Sequence, residues 1–370
     1  MKVLYIGNFY DDTGWSKHNN ECVLALNAAG VDVVPRNIKL NNVPGNPPAK
    51  VVELEEGSDR NPDVIIQNVL PHMSKYYGGV KNIIQYQTET SNFRKIRWQD
   101  HINMMDEAWV FSKYSREASK SSGVKIPLNI VPMPVDTSKF GKDYGVVSNL
   151  KESVPNNAFI FYTISEFTSR KNIEALLKAF HSEFHITEPV YLLIKTSTND
   201  QQRISGIIDG VKKGLKIYDD PNKYKKELIV FNHLPEEEIY KIHQSCHAFV
   251  TASHAEGWCL PAFDALGFGK PVIAPRHTSF VEYLNDKNSY LVDAYEDICY
   301  DAPDTLPELY SASENWYNVS VLSLRKQMRA VYQQKDGEAA KRALQGKKDI
   351  LAYDYKNVGK IMKNYLEQIV

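Results

Sequence analysis

The stretch from Ala248 to Ala274 constrains this chain more than any other. An apolar run of strand length, Ala248-Phe249-Val250-Thr251-Ala252, ends in small residues and gives way to a loop holding Glu256 and Gly257. Pro261 suits the first position of a helix, where its missing N–H costs nothing. Gly267 and Gly269 suit the far end, where a left-handed residue is needed, and Pro271-Val272-Ile273-Ala274 restarts as a strand with proline at its edge. Strand, loop, helix and strand in this order belong to a doubly wound α/β sheet.

A strand that feeds a loop and then a helix N-terminus makes an anion site, because free N–H groups and the positive end of the helix dipole point the same way. Gly257 lets a ligand approach the backbone closely. Glu256 stands in the loop and Asp264 eight positions later, about one turn into the helix. A carboxylate beside a phosphate site is not there for the phosphate. Its natural partners are hydroxyls, which points to a sugar or ribose carried on phosphate. The alternative is that Asp264 only decorates a helix start.

The run Glu-Gly-Trp-Cys-Leu-Pro-Ala-Phe-Asp-Ala-Leu-Gly-Phe-Gly-Lys-Pro-Val-Ile-Ala, residues 256–274, resembles the signature of glycosyltransferase family 4, retaining enzymes of the GT-B fold. That signature usually carries a second glutamate where this chain has Asp264. The resemblance implies two Rossmann-like doubly wound domains facing across a cleft, with a C-terminal helix crossing back to the first. The domains are expected at 1–145, joined by about 353–370, for the acceptor, and at 146–352 for the nucleotide-sugar donor.

Length and composition agree with this organisation. At 370 residues two domains are the better expectation, and 43% hydrophobic with 24% charged residues is ordinary for a globular chain. A net charge of −1 gives no global pull toward nucleic acid or membrane. Cys22, Cys246, Cys259 and Cys299 are scattered without zinc spacing, so reduced thiols are expected. Met1-Lys2 runs straight into strand-like Val3-Leu4-Tyr5-Ile6, and no run is long enough to span a bilayer. A cytoplasmic location is expected, in the host cytoplasm if the chain is viral.

Further candidates come in chain order. Lys2 to Gly7 reads as a buried strand, Asn8 to Trp15 as a polar turn and Asn19 to Ala29 as a helix. Gly14 in that turn is by itself a loop glycine; the resemblance places it against the donor phosphates. Asn41 to Pro48 reads as loop. After the strand Lys81 to Tyr86 the family often carries a histidine near the transferred sugar, and this chain offers Glu89, otherwise an exposed loop carboxylate. Phe93-Arg94-Lys95-Ile96-Arg97-Trp98 interleaves basic and aromatic residues, and with Lys75-Tyr76-Tyr77 it could form a phosphate-binding acceptor face. A solvated helix face is the plainer alternative for Arg94, Lys95 and Arg97. Trp15 is a further acceptor candidate.

In the second half, Arg170 and Lys171 just before a helix place a planar fork beside a point charge, a diphosphate clamp. The family carries its diphosphate-neutralising pair at this place. His233 and Leu234 fall where the family holds the base, and Gly257, Trp258, Cys259 and Leu260 supply the N–H groups at the helix start. Asp219-Asp220 reads as a turn, and the fold as a rule needs no metal or other cofactor.

The implied reaction is transfer from a UDP- or GDP-sugar to an acceptor hydroxyl with retention. Arg170, Lys171, Glu256 and Glu89 are the catalytic candidates. The acceptor is a saccharide, or else a hydroxymethylated cytosine or uracil in DNA, as in phage enzymes that the Asp11-Asp12-Thr13-Gly14-Trp15 opening faintly resembles. A nucleotide-sugar 2-epimerase and a non-catalytic nucleotide-sugar binder are the remaining alternatives.

Overall fold

The computed structural model describes residues 1–40, 44–148, 150–303 and 308–370. They form two compact units, Met1–Lys139 with Leu351–Val370 and Phe140–Ile350, each built on its own parallel sheet.

The first unit runs β1 (Lys2–Gly7), α1 (Gly14–Ala28), β2 (Asp32–Asn37), α2 (Ala49–Glu55), β3 (Val64–Asn68), β4 (Lys81–Gln85), α3 (Trp98–Ile102), β5 (Glu107–Val110), α4 (Lys113–Ser121) and β6 (Leu128–Ile130). The strands lie in the order β2-β1-β3-β4-β5-β6, all parallel. Continuous apolar runs such as Val64-Ile65-Ile66 form strands here because both faces of a parallel sheet are covered.

Helix α1 begins at Gly14, not at Asn19 as the sequence suggested. Thr13 caps it by accepting from the Ser16 N–H. Its first turns bury Ser16, His18, Asn19 and Asn20, so they lack the apolar stripe that marks a helix. Only part of the expected Asn41 to Pro48 loop is described: residues 41–43 lie outside the described residues, as does Asn149 further on, and Pro44 bridges to Asp11. The C-terminal helix Tyr355–Ile369 returns Val358, Met362 and Leu366 to the core around Val23 and Leu26 of α1. Gly359 makes the approach close, since a Cβ there would overlap the Ala25 carbonyl.

The second unit contains α5 (Leu150–Ser153), β7 (Phe159–Ile164), α6 (Ile173–Glu183), β8 (Val190–Lys195), α7 (Gln201–Leu215), β9 (Leu228–Val230), α8 (Glu236–Ser245) and β10 (Ala248–Val250). It continues through α9 (Leu260–Gly267), β11 (Val272–Pro275), α10 (Phe280–Tyr283), β12 (Tyr290–Val292), β13 (Ala294–Ile298), β14 (Asn315–Val319), α11 (Val321–Gln333) and α12 (Glu338–Asp349). The parallel sheet has the order β12-β11-β10-β7-β8-β9. Ile173, Leu176, Leu177 and Phe180 fall on one face of α6 and enter the core with Leu192, Val250 and Leu324.

Chain order reverses between β7 and β10, because β8 and β9 add on one side and β10, β11 and β12 on the other. The loops leaving the carboxyl ends of β7 and β10 therefore border the crevice where ligands bind in open α/β sheets. The antiparallel hairpin β13–β14 was not expected from the sequence.

Candidate functional site

The loop after β10 and the turn after β7 are stitched together through Arg170. Its carbonyl accepts from the His254 N–H at 2.8 Å and the Ser253 hydroxyl at 3.1 Å, and its guanidinium donates to the Ala255 carbonyl at 2.7 Å. Two basic side chains are thereby held against one carboxylate. Arg170 Nη1 lies 3.1 Å from Glu256 Oε2 and Lys171 Nζ 2.5 Å from Glu256 Oε1. The Glu256 side chain is 5% exposed and the two cations about a fifth.

Burial alone would push the Glu256 carboxyl upward; the charges of Lys171 and Arg170 overturn that and hold it at about 2. The site therefore carries two cations and one ionised carboxylate across the neutral range. With Arg170 and Lys171 side by side, it retains a net positive charge suited to a diphosphate.

The backbone of Glu256 is fixed from the turn after β11. Thr278 Oγ1 accepts from its N–H at 3.4 Å, and the Ser279 hydroxyl donates to its carbonyl at 2.8 Å. The Tyr283 hydroxyl donates to the Trp258 carbonyl at 2.7 Å. Three residues bordering the cluster hold left-handed backbone without being glycine: Asn172 (φ 50°), Cys259 (φ 69°) and Thr278 (φ 46°). For a β-branched residue such as Thr278 this is strained, and such strain gathers at sites whose geometry the surroundings enforce.

The hairpin braces the same loop from outside the sheet. The Tyr317 N–H donates to the His254 carbonyl at 3.0 Å, and His254 Nδ1 lies 2.8 Å from the Tyr317 carbonyl. His254 stacks on Trp316 at 4.4 Å and His277 on Tyr317 at 4.7 Å. Burial lowers both imidazoles, His277 to about 3, so both are neutral at pH 7 and His254 Nδ1–H is the donor to Tyr317.

A second carboxylate at the same sheet edge, Glu166, accepts from Thr196 Oγ1 at 3.0 Å, the Ser197 N–H at 2.9 Å and Thr198 Oγ1 at 2.7 Å, and from the Ser197 hydroxyl. Burial opposes its ionisation, but these hydrogen bonds, led by Ser197, bring it down to about 2. Glu166 thus ties the exit of β7 to the exit of β8.

Of the residues singled out from the sequence, Arg170, Lys171 and Glu256 come into direct contact. Gly257, Trp258 and Cys259 are buried in the loop, and Leu260 begins α9. Asp264 is buried on α9, a turn beyond Pro261. His233 is exposed and Leu234 half-buried beyond β9, which β8 separates from β7.

In the first unit, Gly14 is the first residue of α1, and Trp15 Nε1 donates to Asn68 Oδ1 at 2.8 Å. Glu89 is half-buried in the loop after β4, between buried Thr88 and Thr90. Arg94, Lys95 and Arg97 are exposed, in a turn rather than on a helix, since α3 starts only at Trp98. Asp220 Oδ1 accepts from the Asn222 N–H and so forms a turn. Among the described residues no group of three or more His, Cys, Asp or Glu is placed to hold a metal ion, and no helix is long and apolar enough to cross a membrane.

Ser253, Thr278, Ser279, His277 and Glu166 were not foreseen. Each is a polar residue just past a strand, a signal shared with ordinary loops.

Residues 149–299 match the family model described as glycosyl transferases group 1. No curated protein matches the chain. Among solved structures, the chain is similar to sucrose-phosphate synthase from Thermosynechococcus elongatus, with 14% identity, a TM-score of 0.66 and coverage of 100% of this chain and 98% of that one. It is also similar to Anabaena HepE solved with UDP and glucose, with 13% identity, a TM-score of 0.67 and full coverage of both chains. A structure described as trehalose-6-phosphate from E. coli bound with UDP-2-fluoro glucose shows 11% identity, a TM-score of 0.68 and full coverage of both. The chain thus has the GT-B fold, with a glycosyl transferases group 1 match lying over the unit that holds Arg170, Lys171 and Glu256.

Proposed function

We propose that this protein transfers a sugar from a nucleoside diphosphate sugar to an acceptor hydroxyl with retention of anomeric configuration. One observation carries the reading. A buried carboxylate, Glu256, is bridged by Arg170 and Lys171 where strand order reverses, inside the segment that matches the group 1 model. UDP is the favoured nucleotide, since HepE is described with UDP-glucose.

In this step the bond from the anomeric carbon to the diphosphate oxygen breaks, and a bond to the acceptor oxygen forms on the same face. The acceptor proton passes to the departing diphosphate oxygen. Arg170, Lys171 and the N–H groups of Gly257 to Leu260 take up the leaving group's charge. Glu256 accepts from sugar hydroxyls and Asp264 from the ribose, while His233 and Leu234 flank the base. We assign the donor to the second unit and the acceptor to the first, where Trp15 contacts the acceptor, Gly14 faces the donor phosphates and Glu89 stands near the transferred sugar.

The acceptor hydroxyl in this reading belongs to a saccharide. A second reading, a hydroxymethylated base in DNA, is favoured by the exposure of Arg94, Lys95 and Arg97. Calorimetry and turnover assays with UDP-, GDP- and ADP-sugars test the first claim, repeated with glycan and hydroxymethylcytosine DNA acceptors. Binding of one donor with release of its diphosphate is expected. Binding without any turnover would leave a nucleotide-sugar binder, and neither binding nor turnover would end the reading.

A further inference from the structure

The connection between β3 and β4 holds no α-helix; a single 3-10 turn, Pro71–Met73, is followed by chain that lies over the sheet. Two buried amides pin it there. The Gln67 side chain accepts from the Lys75 N–H at 3.0 Å and donates to the Lys75 carbonyl at 2.7 Å. Asn82 does the same for Tyr77, at 3.0 and 2.8 Å. Gln67 and Asn82 satisfy the backbone as a neighbouring strand would, and every side chain from His72 to Tyr77 except buried Ser74 is exposed.

His72 and Lys75 are exposed, and Met73, Tyr76 and Tyr77 are 43%, 49% and 39% exposed. Such large exposed groups within five residues are unusual for a surface without a partner. His72 continues the strip into the next segment: its Nδ1 accepts from Trp98 Nε1 at 3.2 Å and its ring stacks on Trp98. Arg97, next in the chain, takes left-handed backbone at φ 60° and its side chain is 77% exposed. Arg94 is anchored through Nε to the Ser121 carbonyl at 2.7 Å while remaining exposed.

Charge runs the same way. Between residues 64 and 100 the cations are Lys75, Lys81, Arg94, Lys95 and Arg97 against Glu89 and Asp100, the latter paired with Arg97 at 2.7 Å, a local charge of +3 in a chain whose net charge is −1. Half-exposed tyrosines in a segment that also carries cations match the two needs of a single-stranded nucleic acid, base stacking and phosphate neutralisation. A membrane asks for something else, apolar groups that project from the surface, and here the backbone on either side of Tyr76 is pinned to the sheet.

We infer that the strip formed by His72 to Tyr77 and Arg94 to Trp98 binds single-stranded nucleic acid. As an acceptor site this rests on the transferase reading, in its base-modifying form, but the binding itself does not.

The test is fluorescence anisotropy of the full chain with a labelled 20-nucleotide oligo-dT. Heparin and vesicles of 30% phosphatidylserine are titrated in parallel. Binding is expected to weaken with added salt, with a log–log slope of about −0.7 per phosphate contacted. Tyr76→Ala and Tyr77→Ala should each weaken it roughly 5- to 100-fold. Lys75→Glu should weaken it and reduce the salt slope, with circular dichroism melts confirming that each variant folds. No binding at 50 mM salt overturns the inference. So does equal affinity in the tyrosine variants, which would mark a general polyanion surface, or capture by vesicles alone. Because UDP binding is measured separately, loss of the strip leaves the transferase reading standing, and absence of UDP binding leaves the strip standing.

Discussion

Lys171 Nζ stands 2.5 Å from Glu256 Oε1, while Arg170 Nη1 takes the other carboxylate oxygen at 3.1 Å. One carboxylate therefore holds in place the two cations that a diphosphate would need. In the proposed reaction, a donor that engages Arg170 and Lys171 would loosen their hold on Glu256 and free it for the sugar.

Exchange of this kind separates the effects of substituting each partner. Arg170→Ala and Lys171→Ala remove charge stabilisation of the leaving group, and each should lower kcat about 100- to 1000-fold. Glu256→Gln leaves both cations beside a neutral amide. Breaking a buried pair costs about 3–5 kcal/mol, but these cations retain some solvent, so a loss near 2 kcal/mol is expected by urea unfolding. Unchanged turnover in both cation variants would remove them from the chemistry.

The same pair sets a dependence on acid. Glu256 titrates at about 2 in the folded chain and near the ordinary carboxylate value when unfolded. A depressed carboxylate contributes stability that is present above the unfolded value and lost as pH falls toward the folded one. The stability gap between wild type and Glu256→Gln should therefore hold steady from pH 7 to about 5 and narrow below that, in urea titrations at each pH.

Buried histidines act over a higher range. Burial pushes both His18 and His277 down to about 3. Neutral in the fold and free to protonate when unfolded, each contributes stability that is present above about 6.5 and lost as pH falls toward 3. Between pH 6.5 and 5 each removes up to about 2 kcal/mol, at about 1.4 kcal/mol per unit. His277→Gln should flatten the stability profile in that range, and an unchanged slope would show that His277 already protonates in the folded state.

Much of the sheet architecture was legible because parallel strands such as Val64-Ile65-Ile66 are unbroken apolar runs, and α6 repeats its apolar face every three to four residues. The Glu256 loop was legible from glycine, proline and carboxylate spacing. What holds it was not. Propensity argues against left-handed backbone at a β-branched residue, yet Thr278 adopts it so that its hydroxyl meets the Glu256 N–H. Asn315-Trp316-Tyr317-Asn318-Val319 shows no polar–apolar alternation, because β14 packs its aromatics on loop histidines instead of on a sheet face. Contact between Arg170 and Glu256, 86 positions apart, follows from topology that only the resemblance implied.

The hairpin makes the last prediction. Trp316 is 3% exposed, stacked on His254 and clustered with Ala255 and Cys299. The family match ends at residue 299, before β14, so this brace lies outside the matched segment. Trp316→Ala should cost about 3 kcal/mol, the low end for a buried aromatic, since the hairpin can settle onto the space left behind. His254 joins the hairpin to Arg170 through the Arg170 carbonyl, so loosening it should also weaken UDP binding measured by calorimetry. If stability falls while UDP affinity stays the same, the hairpin is a structural cover with no hold on the cluster beneath it.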